Sequence, residues 1–218
     1  MRKIVFAIIS IIMCASASLR AQEAPVFGLR LGLDFRCPTA IDYEGTDYSA
    51  FKNGTGFELT GVFNMPLMSG IYFEPGLGVY YNTFGIKPDF LKEGPVSDKI
   101  GGSARQFGFR MPIMFGYHFD TYPVSFNLFF GPVIDIGIVA KSHHEVWINN
   151  EKYGHSDNAF GDDGFLNRCD VGVRIGGSTE FNNFILQLYG TIGTCNRISI
   201  DHAKMRTSNV TLGIGYNF

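Results

Sequence analysis

The stretch Asn209–Phe218, NVTLGIGYNF, places an apolar side chain on every second position: Val210, Leu212, Ile214, Tyr216 and Phe218. Asn209, Thr211, Gly213, Gly215 and Asn217 stand between them. A period of two is that of a β-strand, whose successive side chains point to opposite faces. One face of this strand is large, apolar and unbroken, and the other is small or polar. The fold follows from what the apolar face meets.

The same alternation recurs at seven earlier places. In 27–35 the apolar set is Phe27, Leu29, Leu31, Leu33 and Phe35, and Arg30 and Asp34 lie opposite. The other segments are 55–65, 71–83, 105–117, 124–140, 165–180 and 184–194. Their connections alternate in length. Pro66–Gly70, His118–Pro123 and Phe181–Asn183 are short, whereas 36–54, 84–104, 141–164 and 195–206 are long. An even number of strands, with short turns at one end and long loops at the other, is the plan of an outer-membrane barrel. The expected fold is all-β: an eight-stranded, antiparallel, up-and-down transmembrane β-barrel.

A soluble barrel of lipocalin type also alternates, with its apolar face inside. Here the opposite face carries Gly, Thr, Ser and Asn with isolated charges and no lysine within the strands, which is not a water-facing surface. Eight strands also enclose too little space for rows of Phe and Leu from every strand. The large residues therefore belong outside, against lipid, and a closed ring satisfies the backbone there. Tyr80, Tyr81 and Phe84 on the loop side, and Tyr72, Tyr117, Phe119, Tyr122, Phe181 and Phe218 on the turn side, are expected to form interfacial aromatic girdles.

The polar face includes Arg30, Glu58, Glu74, Arg110, Asp135, Asp170 and Arg174. Unpaired buried charge is costly, so these residues are expected to form a polar network across the lumen. Glu58, Arg110, Asp170 and Arg174 fall at similar heights. The network reads either as a plug or as a proton or ion path, and the narrow lumen favours the plug.

Residues 1–21 read as a secretory signal peptide: Arg2 and Lys3, then IVFAIISIIMCASA, then small residues. Cleavage after Ala21 leaves the barrel on 22–218. Rival cuts are after Ala17 and, for a lipoprotein, before Cys14. The leader contains three of the eighteen basic residues, so the remainder carries fifteen against twenty acidic, a balance of -5. No basic excess points to nucleic acid. Cys37, Cys169 and Cys195 are too few and too scattered for a disulfide framework or a zinc site. In the sixth–seventh hairpin Cys169 and Cys195 are close in height but of opposite parity, which opposes a bridge.

FGLRLGLDF after a leader, FRMPIMFGYHF at 109–119, FNLFFGPVIDIGI at 126–138 and the closing TLGIGYNF resemble the PorT-like outer-membrane β-barrel family of the Bacteroidetes. The resemblance covers nearly the whole mature chain. It implies the fold and an outer-membrane location, and it suggests a link to type IX secretion.

The long loops offer two candidate chemistries. Asp201-His202 with Ser199 or Ser208 is the nearest approach to the triad that a lipid A deacylase-like enzyme needs. His143-His144-Glu145 and 157–163 are rich in metal-ligating types but match no ligand spacing. No motif asks for a cofactor. EVWINNEKYG reads as a hairpin turning near Asn149-Asn150 and extending strands five and six; Trp147 and Tyr153 make it the candidate partner-contact loop. Tyr216 and Phe218 form a candidate assembly signal for the barrel-insertion machinery. The favoured role is a non-enzymatic structural or interaction barrel, embedded in outer-membrane lipid and linked to secretion or envelope proteins. The alternative is a lipid-modifying enzyme on the same fold.

Overall fold

The computed structural model describes residues 24–43, 45–48, 51–86, 99–121, 123–148, 151–160, 166–199 and 202–218. The expected leader, 1–21, lies outside them. The strands are β1 (Val26–Pro38), β2 (Ile41–Tyr43), β3 (Thr46–Tyr48), β4 (Phe51–Lys52), β5 (Gly54–Met68), β6 (Ile71–Ile86) and β7 (Lys99–Thr121). They continue with β8 (Val124–Ile148), β9 (Glu151–Asn158), β10 (Cys169–Phe181), β11 (Phe184–Gly193), β12 (Ala203–Lys204) and β13 (Thr207–Asn217).

Eight of these close a ring in the order β1-β5-β6-β7-β8-β10-β11-β13 and back to β1, with every pair antiparallel. They are the eight strands read from the alternation. The sixth is shorter than expected, starting at Cys169 rather than at 165; Leu166 instead bridges to Ile198. Along β1 exposure alternates without a break, with Phe27, Leu29, Leu31, Leu33 and Phe35 out and Gly28, Arg30, Gly32 and Asp34 in. The outward sets of the other strands continue this belt, including Leu59, Leu77, Phe109, Leu128, Ile175, Leu188 and Leu212. A belt of that size has no stable place in water and matches the hydrocarbon of a bilayer.

The short connections are tighter than the sequence reading. Met68 pairs with Ile71 and Phe181 with Phe184, so two residues make each turn. Ser69 and Gly70 have φ of 29° and 81°, and Asn182 and Asn183 have 47° and 71°. Positive φ at both central residues is what a two-residue hairpin needs to match strand twist.

The long-loop end differs most from the expectation. A tilted strand crosses a bilayer in about 9–11 residues. β7 and β8 have 23 and 25, so much of each rises past the lipid. Phe107 pairs with Val139 but Gly108 with Gly137, a bulge that leaves both Ile138 and Val139 facing out. It reverses the parity of β8 above it, turning Ala140 and Ser142 inward.

Described parts of 36–54 and 195–206, with Ala159 and Phe160, fold over the mouth. β12, β2 and β3 form a small sheet. Arg206 N donates to Thr39 Oγ1 at 3.0 Å, and Thr39 N donates to Arg206 O at 2.9 Å. Beneath lies an apolar cluster that includes Ile41, Phe84, Ala140, Phe160, Ile198 and Met205. A Cβ on Gly137 would stand 2.2 Å from the Phe160 ring, so only glycine lets that ring lie against the wall. The polar lumen is therefore capped by an apolar core that the alternation did not reveal.

Candidate functional site

Arg110 of β7 stands at the centre of the lumen and is 1% exposed. Its Nε and Nη2 donate to the two carboxylate oxygens of Asp135 on β8, each at 2.7 Å. Nη1 donates to Asp34 of β1 at 3.0 Å and also to Glu58 of β5. Arg174 of β10 donates Nη2 to Glu58 at 3.1 Å and Nε to Thr191 of β11 at 3.2 Å. The Tyr189 hydroxyl of β11 donates to Glu58, and the Arg174 guanidinium lies 4.0 Å from the Tyr189 ring centre. On β13, Thr211 and Asn209 donate to Asp34 at 2.5 and 3.3 Å. Arg110 also lies 5.0 Å from the ring centre of Tyr80 on β6. Every strand of the ring thus contributes to one network. Arginine suits such a hub, because its fixed fork of donors serves several carboxylates at once.

Below the cap, Arg197 donates to Gln106 at 2.7 Å and lies 3.5 Å from Asp170, while Gln106 donates to the Tyr80 hydroxyl at 2.8 Å. Arg36 lies 3.6 Å from Asp135. This layer is less saturated: Arg36 Nε, both amide atoms of Asn82, Asp170 Oδ1 and Arg197 Nη1 are buried without a hydrogen-bond partner. Across the two layers, Arg36, Arg110, Arg174 and Arg197 face Asp34, Glu58, Asp135 and Asp170, so the buried charge is balanced. Balanced charge beneath an apolar cap fills the middle of the lumen.

Near the turns, Arg30 pairs with Glu74 at 3.3 Å and donates to Asn217 at 2.9 Å. This pair borders a separate cavity of about 560 Å³ lined by residues at the short-turn end.

Of the seven residues expected in a lumen network, Glu58, Arg110, Asp135 and Arg174 meet in the centre. Arg30 and Glu74 form their own pair. Asp170 is not joined to the centre as expected; its partner is Arg197, which a long loop brings in. Sequence reading missed Asp34, Arg36, Arg197, Tyr80, Tyr189, Gln106, Asn209 and Thr211 as members. Carrying the alternation one step past Phe35 would have found Arg36; Arg197 has no periodic signal.

Tyr72, Tyr80 and Phe84 differ from the expectation: they occupy inward positions of β6, at 7%, 1% and 9% exposure, and are not girdle residues. Tyr81 packs outward against Phe57, and Tyr117 and Phe119 pack together at 4.6 Å, whereas Tyr122 lies outside the described residues. Phe218 is exposed, stacks on Phe27 at 5.8 Å, and lies 5.1 Å from Tyr216, whose ring also meets Phe184.

Trp147 pairs in register with Lys152, and Val146 with Tyr153, in the β8–β9 hairpin. The hairpin extends strand five but not strand six. Its second arm is the separate strand β9, and Lys99–Arg105 of β7 pairs along the other side of β8. His202 and Ser199 are exposed, no hydrogen bond joins His202 to Ser199 or Ser208, and Asp201 lies outside the described residues. His143 meets Ser156 Oγ at 2.9 Å. Residues 161–163 of the acidic stretch lie outside the described residues. Cys37, Cys169 and Cys195 are free.

No protein-family model matches the chain. No curated protein matches it. Among solved structures, Neisserial surface protein A aligns at 12% identity and TM-score 0.42 over 90% of this chain and 100% of its own. Ail, the attachment invasion locus protein of Yersinia pestis, in complex with the heparin analogue sucrose octasulfate, aligns at 15% identity and TM-score 0.42, over 90% and 100%. OprG of Pseudomonas aeruginosa aligns at 12% identity and TM-score 0.32, over 92% and 99%. The closed eight-strand ring rests on the strand pairings themselves.

Proposed function

We propose that the chain is a non-enzymatic outer-membrane barrel of the PorT-like kind. It acts as a structural or interaction protein through its long-loop end. The observation that carries this reading is the combination of an apolar outer belt with a filled lumen: the ring is built to sit in lipid and not to conduct. The short turns, together with the first residues of β1 and the last residues of β13, then face the periplasm. The blade formed by β7, β8 and β9, with Trp147 and Tyr153 near its tip, presents a surface to envelope or secretion partners. Tyr216 and Phe218 serve as the signal that barrel-insertion machinery reads. The motif resemblance and the apolar leader-like run at the amino terminus support the location.

Two measurements test this. Envelope fractionation and heat-modifiable gel migration should place the folded chain in the outer-membrane fraction; a chain that stays soluble without detergent rejects the location. Photo-crosslinking from position 147 in intact cells should capture an envelope protein in discrete yield. Absence of any specific adduct from positions 147 and 153 would reject the blade as the contact.

A further inference from the structure

The short-turn end of the lumen is a built cavity that the proposed function leaves unused. It measures about 560 Å³, within the usual range of small-ligand sites. Its charged lining is one arginine, Arg30, against three carboxylates, Glu74, Asp120 and Glu180. Arg30 is committed to Glu74 at 3.3 Å. Asp120 lies 2.9 Å from His118 Nε2. Glu180 is left with a neutral partner: Asn217 Nδ2 donates to its Oε1 at 2.9 Å, and no cation among the described residues pairs with it.

Two further side chains have unused polar groups. Gln187 and Tyr72 line the same cavity, are only 8% and 7% exposed, and make no side-chain hydrogen bond with a described residue. A carboxamide lying over Gly213 and a hydroxyl lying over Gly116, both on residues that line the cavity and both with free donors and acceptors, can serve a ligand's amide groups. Beside them Phe129 and Ile185 provide apolar wall. A bare metal ion would need several oxygens converging on one point, which a single free carboxylate does not supply.

We propose that this vestibule binds a short lysine-bearing peptide segment entering from the short-turn side. The lysine ammonium sits on Glu180, and the peptide amides hydrogen-bond to Gln187 and the Tyr72 hydroxyl. The ammonium supplies the missing counter-charge, and an extended backbone supplies both donor and acceptor to the carboxamide. Binding requires no particular cellular location, so it stands or falls apart from the outer-membrane reading.

The test is titration calorimetry on the folded full-length barrel in detergent, with acetyl-Ala-Lys-Ala-amide as probe. Saturable binding is expected. The Nε-acetylated peptide should bind at least about tenfold more weakly, as loss of a charge-assisted hydrogen bond implies. Glu180→Gln should weaken the unmodified peptide to a similar extent and barely affect the acetylated one. Tyr72→Phe removes only the hydroxyl and should weaken both peptides several-fold, so it carries the test if Glu180→Gln does not fold. No saturable binding by the parent, equal binding of the two peptides, or unchanged affinity in the folded variants overturns the proposal.

Discussion

Arg110 and Glu58 meet across the lumen although β6 lies between their strands. The register explains how: the residue of β6 level with Arg110 is Gly78. It has no side chain to stand in the way, and a Cβ there would lie 2.3 Å from the Leu59 carbonyl oxygen. Arg110 can therefore reach Glu58, Asp34 and Asp135 together.

Removing that hub should be costly. Arg110→Met leaves three carboxylates, Asp34, Glu58 and Asp135, without their shared donor. A loss of about 3–5 kcal/mol is expected in urea unfolding from lipid vesicles, the usual scale for breaking a buried ion pair from one side. Arg110→Lys should recover little, because an ammonium lacks the planar fork. A loss below about 1 kcal/mol would show that the network does not hold the barrel together.

The filled lumen should not conduct. The purified barrel in a planar bilayer is expected to show no steady ion current. Phe160→Ala, which removes the cap ring that lies on Gly137, should remain silent because the Arg110 layer lies beneath. Stable channels in either protein would contradict the plug.

Asn82 is fully buried, and neither its amide nitrogen nor its oxygen is hydrogen-bonded. Replacing it by an apolar residue of similar volume removes that desolvation cost. Asn82→Leu should raise unfolding stability by about 1 kcal/mol. A clear decrease would mean that the amide has partners in the folded barrel.

Leu188 faces outward at mid-strand on β11 and is 57% exposed. Leu188→Arg should cost about 2–4 kcal/mol in vesicles, the price of a charge near the bilayer midplane. An unchanged midpoint would remove the lipid belt as the explanation of the outward set.

Phe218 separates stability from assembly. Its ring packs on Phe27 and Tyr216, contacts worth about 0.5–1.5 kcal/mol each. Deleting it should lower refolding into detergent only modestly but sharply reduce barrel abundance in cells, while Phe218→Tyr preserves abundance. Normal cellular levels in the deletion would argue against a role in insertion.

The wall of the barrel was legible because one physical rule wrote it. Lipid on one side and a narrow lumen on the other impose a strict period of two, and NVTLGIGYNF carries it without interruption. The same parity also brought Glu58, Arg110, Asp135 and Arg174 to the inner face. Tyr72 and Tyr80 show where reading by residue type misled: strand ends suggested girdle aromatics, but their parity puts them inside.

The sequence by itself determined the strand count, the outward set and the polar character of the lumen, because alternation is a local property of the chain. Only the tertiary structure decided which charges share a hub, since Asp34, Glu58, Arg110, Asp135 and Arg174 lie far apart along the chain and meet through ring closure and stagger. Only it revealed the cap, the Asp170–Arg197 pairing and the unmatched Glu180, because these depend on where irregular loops and two-residue turns place side chains. The stretch at the carboxyl end could state that a strand faces lipid; what that strand helps to enclose required all eight.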